Sequence, residues 1–183
     1  MKAEVPWFPC WGVRLNNNNQ EISELIKKFL KIRPSSRWLL LSKFAAASER
    51  HLWSAWHLIE ENFRQKSSLS NNPDAEFIRV ISGTNQLKTA FKRGGINETD
   101  RESWLIFLPS RGKNLNKLPI LDYDNLIKEV QTIMYKLDAS LLPERPKPTK
   151  LGADRLGIPY EGNLELISED LFISHLAKSS LST

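Results

Sequence analysis

Phe77-Ile-Arg-Val-Ile-Ser-Gly-Thr-Asn-Gln-Leu-Lys-Thr-Ala-Phe91 is the stretch on which the reading of the fold turns. Phe77 to Ile81 is a short apolar run rich in β-branched residues, which predicts a strand. Gln86 to Arg93 predicts a short helix with Leu87, Ala90 and Phe91 inward. Lys92 and Arg93 suit its negative end, and Gly94-Gly95 stops it. Between the two lies Ser82-Gly83-Thr84-Asn85-Gln86. A strand that turns through glycine straight into a helix leaves backbone N–H groups unpaired and pointing outward, and with the helix dipole these favour an anion, usually a phosphate. A plain helix start without any ligand fits the same residues. No Gly-Lys-Ser/Thr follows, so this is no Walker loop, and Gly-x-Gly-x-x-Gly is absent too.

Upstream, Ala45-Ala-Ala-Ser-Glu-Arg-His-Leu-Trp-Ser-Ala-Trp56 opens a helix. Ser48 is a good N-cap and Glu49 suits the positive end. Leu52, Trp56, Ile59 and Phe63 form one face of a helix ending near Gln65. Trp53 lies beside that stripe, so the helix is either sandwiched in the core or docks a partner. His51 and His57 are six residues apart and do not share a face, which argues against a metal site. Ser67 to Asp74 reads as a polar loop.

Farther out, Trp7 to Leu15 reads as an edge strand and Asn16 to Asn19 as a turn. Glu21 to Ile32 has helical spacing and is ended by Pro34. Arg37 to Phe44 is a short buried strand, and Ser103 to Leu108 is the fourth strand. Asp122 caps a helix to about Leu137, Leu141 to Pro148 is proline-rich and irregular, and Lys150 to Leu156 and Leu164 to about Lys178 are helices. The last is apolar on many faces (Leu164, Leu166, Ile167, Leu171, Phe172, Ile173, Leu176, Ala177), which fits a buried helix or a partner interface equally. The order β-α-β-α-β-α-β-α-α-α, with no repeat or linker, predicts an α/β (α+β) fold. It is a single compact domain over residues 1–183, with a mainly antiparallel or mixed sheet of about four strands packed with helices.

Composition bounds the function. The 183 residues carry a formal charge of +5, with 40% hydrophobic and 26% charged residues, ordinary for a soluble domain. The charge is uneven. Lys27, Lys28, Lys31, Arg33, Arg37, Lys43 and Arg50 face Glu49 alone, residues 76 to 117 are also basic, and residues 160 to 183 are acidic. One basic face is the expectation, with Lys88, Lys92, Arg93, Arg111, Lys113 and Lys117 near Gly83, either as phosphate contacts or as plain solvated charge. The single cysteine, Cys10, excludes an internal disulfide and any multi-cysteine zinc site. The opening lacks the apolar core of a signal peptide, and no apolar run is long enough for a membrane span, so an intracellular, cytoplasmic protein is expected. Neither a hydrolase, a metalloprotease nor a kinase motif is present. A binding module without cofactor or metal is the reading these residues support.

Ala47-Ser48-Glu49-Arg50-His51-Leu52-Trp53-Ser54-Ala55 and Ile81-Ser82-Gly83-Thr84-Asn85-Gln86-Leu87, followed by Ala90-Phe91 and Gly95, resemble the smallest subunit of the KEOPS complex, the family that includes the PRPK-binding protein. Leu156-Gly157-Ile158 before a terminal helix resembles its archaeal members. The clear resemblance covers residues 45 to 108, with a looser match in the tail. It implies a compact α/β subunit that is not an enzyme. Such a subunit binds the small kinase/ATPase of the complex and recruits tRNA by its 3′ CCA end, for threonylcarbamoylation of the adenosine beside the anticodon by a separate subunit. Carried onto this chain, Ser82, Gly83, Thr84, Asn85 and Gln86 would contact the CCA end, with Lys88, Lys92 and Arg93 on phosphates. Leu52, Trp53, Trp56, Leu171 and Phe172 would meet the kinase. A glutamate at 83 is expected to block RNA and leave the fold intact. The Pro- and Trp-rich opening, the Asn run and Arg145-Pro-Lys-Pro lie outside the family pattern. Two rivals compete with this reading: a protein-only kinase adaptor, and an enzyme with a titratable group beside Gly83, for which His51, His57 and Glu76 are the nearest candidates.

Overall fold

Alternation along short apolar stretches builds the sheet, and both of its faces are covered. The computed structural model describes residues 4–16, 19–162 and 167–181. Asn17 and Asn18 of the asparagine run, and Leu164, Glu165 and Leu166 of the expected last helix, lie outside them. Four antiparallel strands, β1 (Cys10–Leu15), β2 (Trp38–Ser42), β3 (Glu102–Phe107) and β4 (Ala139–Leu142), stand in the order β2-β3-β1-β4. Leu40 pairs with Leu105, Cys10 with Ile106, and Val13 with Leu141. Successive side chains point to opposite faces. Trp38, Leu40 and Leu105 therefore pack with α1 (Ile22–Ile32) and α5 (Tyr123–Leu137). Leu39, Leu41, Trp104 and Ile106 pack on the other side with α2 (Glu49–Arg64), α3 (Pro73–Ile81), α6 (Lys150–Leu156) and α7 (Glu169–His175). The α+β fold is as expected. A helix α4 (Leu87–Gly94) follows α3, and a 3-10 turn (Leu176–Ser180) follows α7. Among the described residues no helix is long and apolar enough to cross a membrane.

Three expectations about the elements are overturned. Phe77 to Ile81 is the second half of helix α3, not a strand. Pro73 at the first turn, with Asp74 and Glu76 beside it, starts the helix. Glu76 through Ile81 are all buried, so the run shows no one-sided periodicity to read. The place of that strand in the sheet of four is filled by β4, whose Leu141 and Leu142 fall in the stretch expected to be irregular. Asp138, at φ +53°, turns the chain out of α5 and into it. The last helix also starts later than expected, at Glu169, where the Ser168 side chain accepts from the Asp170 N–H.

Two stretches outside the family pattern prove to be structural partners. Arg145 donates to both Glu49 carboxylate oxygens (2.6 and 2.9 Å), to the Phe8 carbonyl (3.0 Å) and to the Cys10 carbonyl. Glu49 also accepts from the Phe8 N–H at 2.6 Å. The amino-terminal strap is thereby tied to the start of α2, and Trp53 Nε1 donates to the Pro6 carbonyl at 2.8 Å. Burial pushes the Cys10 thiol far above its ordinary value despite the nearby Arg145 charge, so it is an unreactive core residue.

Candidate functional site

Ser82 to Gln86 joins two helices rather than a strand and a helix. The Gly83 N–H donates to the Val80 carbonyl (3.0 Å) and the Thr84 N–H to that of Arg79 (3.4 Å), a Schellman ending with Gly83 left-handed at φ +60°. The Gln86 N–H is taken by Thr84 Oγ1 at 3.2 Å. The N–H groups of Ser82, Gly83, Thr84 and Gln86 are thus spent within the fold, which corrects the expectation that this turn presents them outward. What remains open is the first turn of α4, whose amino end has no side-chain cap.

Beneath the turn lies a buried ion pair. Arg79 is 2% exposed and donates to Glu76 from Nε (3.0 Å) and Nη2 (2.5 Å). Its Nη1 reaches the Thr84 carbonyl at 3.2 Å and the Ser179 carbonyl at 2.6 Å. One guanidinium therefore holds both the turn and the carboxy-terminal segment. Burial alone would raise the Glu76 carboxyl, but Arg79, Asn62 and the Ser70 N–H hold it below the usual carboxylate range. Asn85 Nδ2 adds a bond to the Leu181 carbonyl at 3.0 Å.

His175 fills the space a side chain at 83 would need. A Cβ on Gly83 would overlap its ring and stand 2.8 Å from its carbonyl oxygen. Glutamate at 83 would therefore break the packing, which overturns the expectation of an intact fold. His175 Nε2 lies 3.2 Å from the Ser82 carbonyl, while Nδ1 has no hydrogen bond. Burial pushes the ring below its ordinary value; the charges of Lys178 and Arg93 add to this, and the carbonyls of Ser82 and Leu156 oppose it. Behind it, His51 Nδ1 accepts from the Ala47 N–H at 3.2 Å and Nε2 has no partner. Burial, then the nearby His175, takes His51 down to about 3. Both rings are neutral at physiological pH.

The result is a pocket of about 250 Å³ walled by Gly83, Thr84, Asn85, Arg93, Gly157, His175 and Lys178. Of the expected RNA residues, Thr84, Asn85 and Arg93 reach it directly, and Gly83 forms its floor. Ser82 is buried, its hydroxyl donating to the Ala90 carbonyl at 3.1 Å. Gln86 and Lys88 are exposed at the start of α4, and Lys92 lies in a different groove, against α1. Arg111 is away from the pocket: it pairs with Glu61 at 3.0 Å and stands 5.9 Å from the Trp56 ring. Lys113 and Lys117 do not line the pocket either. Leu87 and Phe91, expected inward, are 38% and 47% exposed, so α4 presents apolar and basic residues together. His175, Lys178 and Gly157 were missed. His175 is 93 residues from Ser82, and only tertiary packing joins them.

The expected basic face is also smaller than the sequence count. Arg33 pairs with Asp74, Arg37 with Glu60, Lys43 with Glu102 and Glu144, and Arg50 with Glu169. Neither His57, at 2.6 Å from Arg111, nor Glu76 faces the pocket.

For the expected kinase contacts, Leu52, Trp53, Trp56 and Phe172 are buried core residues, and Leu171 is 37% exposed. Leu52 and Phe172 cannot meet a partner without opening the fold. The edges of Trp53 and Trp56, however, line an apolar surface groove of about 470 Å³ with Leu58, Leu118, Ile173, Leu176 and Ala177. It runs between α2 and the tail. Among the described residues no group of three or more His, Cys, Asp or Glu side chains could hold a metal ion. No protein-family model matches the chain, and no curated protein matches it.

Proposed function

We propose that this chain is a non-catalytic subunit of a KEOPS-type assembly, one that recruits tRNA through its 3′ CCA end and binds the kinase/ATPase subunit of the assembly in the cytoplasm. The observation that carries the reading is the pocket beside Gly83. Arg93 and Lys178 flank it, and Thr84 and Asn85, which precede the uncapped start of α4 in the chain, line it. A phosphate there meets two cations and the polar groups of the turn. Lys88 adds charge at the start of α4, and exposed Leu87 and Phe91 give an unstacked base an apolar surface. The kinase docks in this reading on the groove between α2 and the tail, against the edges of Trp53 and Trp56. The rings nearest the pocket are neutral, structurally engaged histidines, which supports binding rather than chemistry.

The test is binding of intact tRNA and of the same tRNA without its CCA end, at moderate salt. Loss on trimming is expected. Lys178→Ala, at an exposed position, should weaken intact tRNA and lower the salt slope by about one. Equal binding to both RNAs would reduce the site to non-specific attraction. The second reading, a protein-only adaptor that regulates the kinase without RNA, draws on the pairing of Arg33, Arg37, Lys43 and Arg50 with acids. No binding to either RNA, with kinase binding retained, would favour it.

A further inference from the structure

Two backbone carbonyls, those of Ser82 and Leu156, act on the His175 ring, and a neutral imidazole can donate to only one of them. His175 is 4% exposed, yet it lines the pocket with Arg93 and Lys178. Its Nε2 stands at the Ser82 carbonyl, and the Leu156 carbonyl of α6 also favours a proton on the ring. A neutral ring has one N–H to give, whereas an imidazolium has two. Nδ1 makes no hydrogen bond.

The charges around the ring hold it back from protonation. Lys178 comes from the tail and Arg93 from α4, both cations, while α2 presents His51 and the α3–α4 turn presents only the Ser82 carbonyl. Burial acts in the same direction. An anion between Arg93 and Lys178 would cancel the two charges that oppose a proton. The pocket would then favour what the carbonyls already favour.

We propose that His175 is the proton-coupled member of this pocket: a phosphate-bearing ligand seated between Arg93 and Lys178 draws one proton from solvent onto the His175 ring, which then completes the cationic surround of the ligand. This rests on the reading of the pocket as an anion site. It goes beyond that reading by making recruitment pH-linked and by assigning the buried histidine a part in ligand binding. Affinity then rises as pH falls through the range where the bound ring titrates, by at most about tenfold per pH unit, the limit for one linked proton.

The experiment is calorimetric titration of the full chain with intact tRNA near neutral pH in two buffers of unlike ionisation heat, repeated with His175→Gln. Glutamine places an amide N–H near the Nε2 position, keeping a donor for the Ser82 carbonyl, and cannot take up a proton. Proton uptake by the native chain that vanishes in the variant is the expected result. Equal uptake in both overturns the proposal, since the proton then goes elsewhere, and binding without any uptake overturns it while leaving the proposed function standing. Failure of tRNA to bind in either buffer overturns both. Because the variant can fail to fold, the ring of His175, one of three histidines, is also followed by NMR across pH with and without tRNA. An upward shift of its midpoint on binding supports the coupling, and an unmoved midpoint overturns it.

Discussion

Arg145 and Arg79 each fasten one end of the described chain to the helical layer, but in different company. Arg145 joins Glu49 and two carbonyls of the amino-terminal strap, and its side chain is 27% exposed. No buried side-chain atom lacking a partner lies in that cluster. Arg79 is far deeper and ties the α3–α4 turn to the tail, where His51 Nε2 and His175 Nδ1 have no hydrogen bond. Buried polar groups are seldom left unmatched without a reason. The first cluster is a fixture. The second is where the fold tolerates mismatch, and both the pocket and the apolar groove are walled by the tail it holds.

Changes at the two clusters should separate them. The largest effect is expected for Arg79→Met, which strands Glu76 in the core and should cost about 3–5 kcal/mol in urea unfolding. Adding Glu76→Leu should recover much of that loss, and failure to do so would mean that the bonds to Thr84 and Ser179 dominate. Next comes Gly83→Ala, at about 2–4 kcal/mol from the left-handed backbone together with overlap on His175. If its tail still resists proteolysis like that of the native chain, the contact with His175 is not what seats it.

Acid should act on the second cluster more than on the first. An unfolded histidine titrates at its ordinary value of 6.5, whereas folded His51 does so at about 3. Stability is full above the first value and falls as pH drops toward the second, because the unfolded chain takes up a proton that the fold refuses. At about pH 5 His51 alone should cost about 2 kcal/mol, and His175 adds in the same direction. Urea midpoints across pH check this, and His51→Gln should flatten the slope by about one proton. The smallest effect is expected for Arg145→Ala, about 1–2 kcal/mol, because the pair is partly exposed and water can replace its bonds. A loss equal to that of Arg79→Met would erase the distinction between the clusters.

Helices with one buried face, α1, α2 and α5, were legible in the sequence from spacing, and three of the four strands from short apolar runs. α3 was not, because burial on all sides leaves no period; Pro73, Asp74 and the Glu76–Arg79 spacing were the signals that would have found it. β4 is short and half exposed, too weak a pattern to read. The site was half legible. Ser82 to Gln86 and Arg93 stand together in the chain, but His175, Lys178 and Gly157 arrive through packing that no spacing encodes. Charge misled for the same reason, since Asp74, Glu60, Glu102 and Glu169 neutralise basic residues far from them in sequence.

The strand order carries a kinetic consequence. Among the described residues β1 has β3 and β4 as its sheet neighbours, and residue 10 waits for residue 106 before its first ladder can close. During synthesis α1 and α2 emerge while that strand still has both edges bare. Non-local pairing of this kind slows folding toward the millisecond-to-second range. A ribosome pause before Phe107 would therefore leave Trp11 and Val13 exposed on an unpaired strand, the state in which a nascent chain of this protein most needs a chaperone.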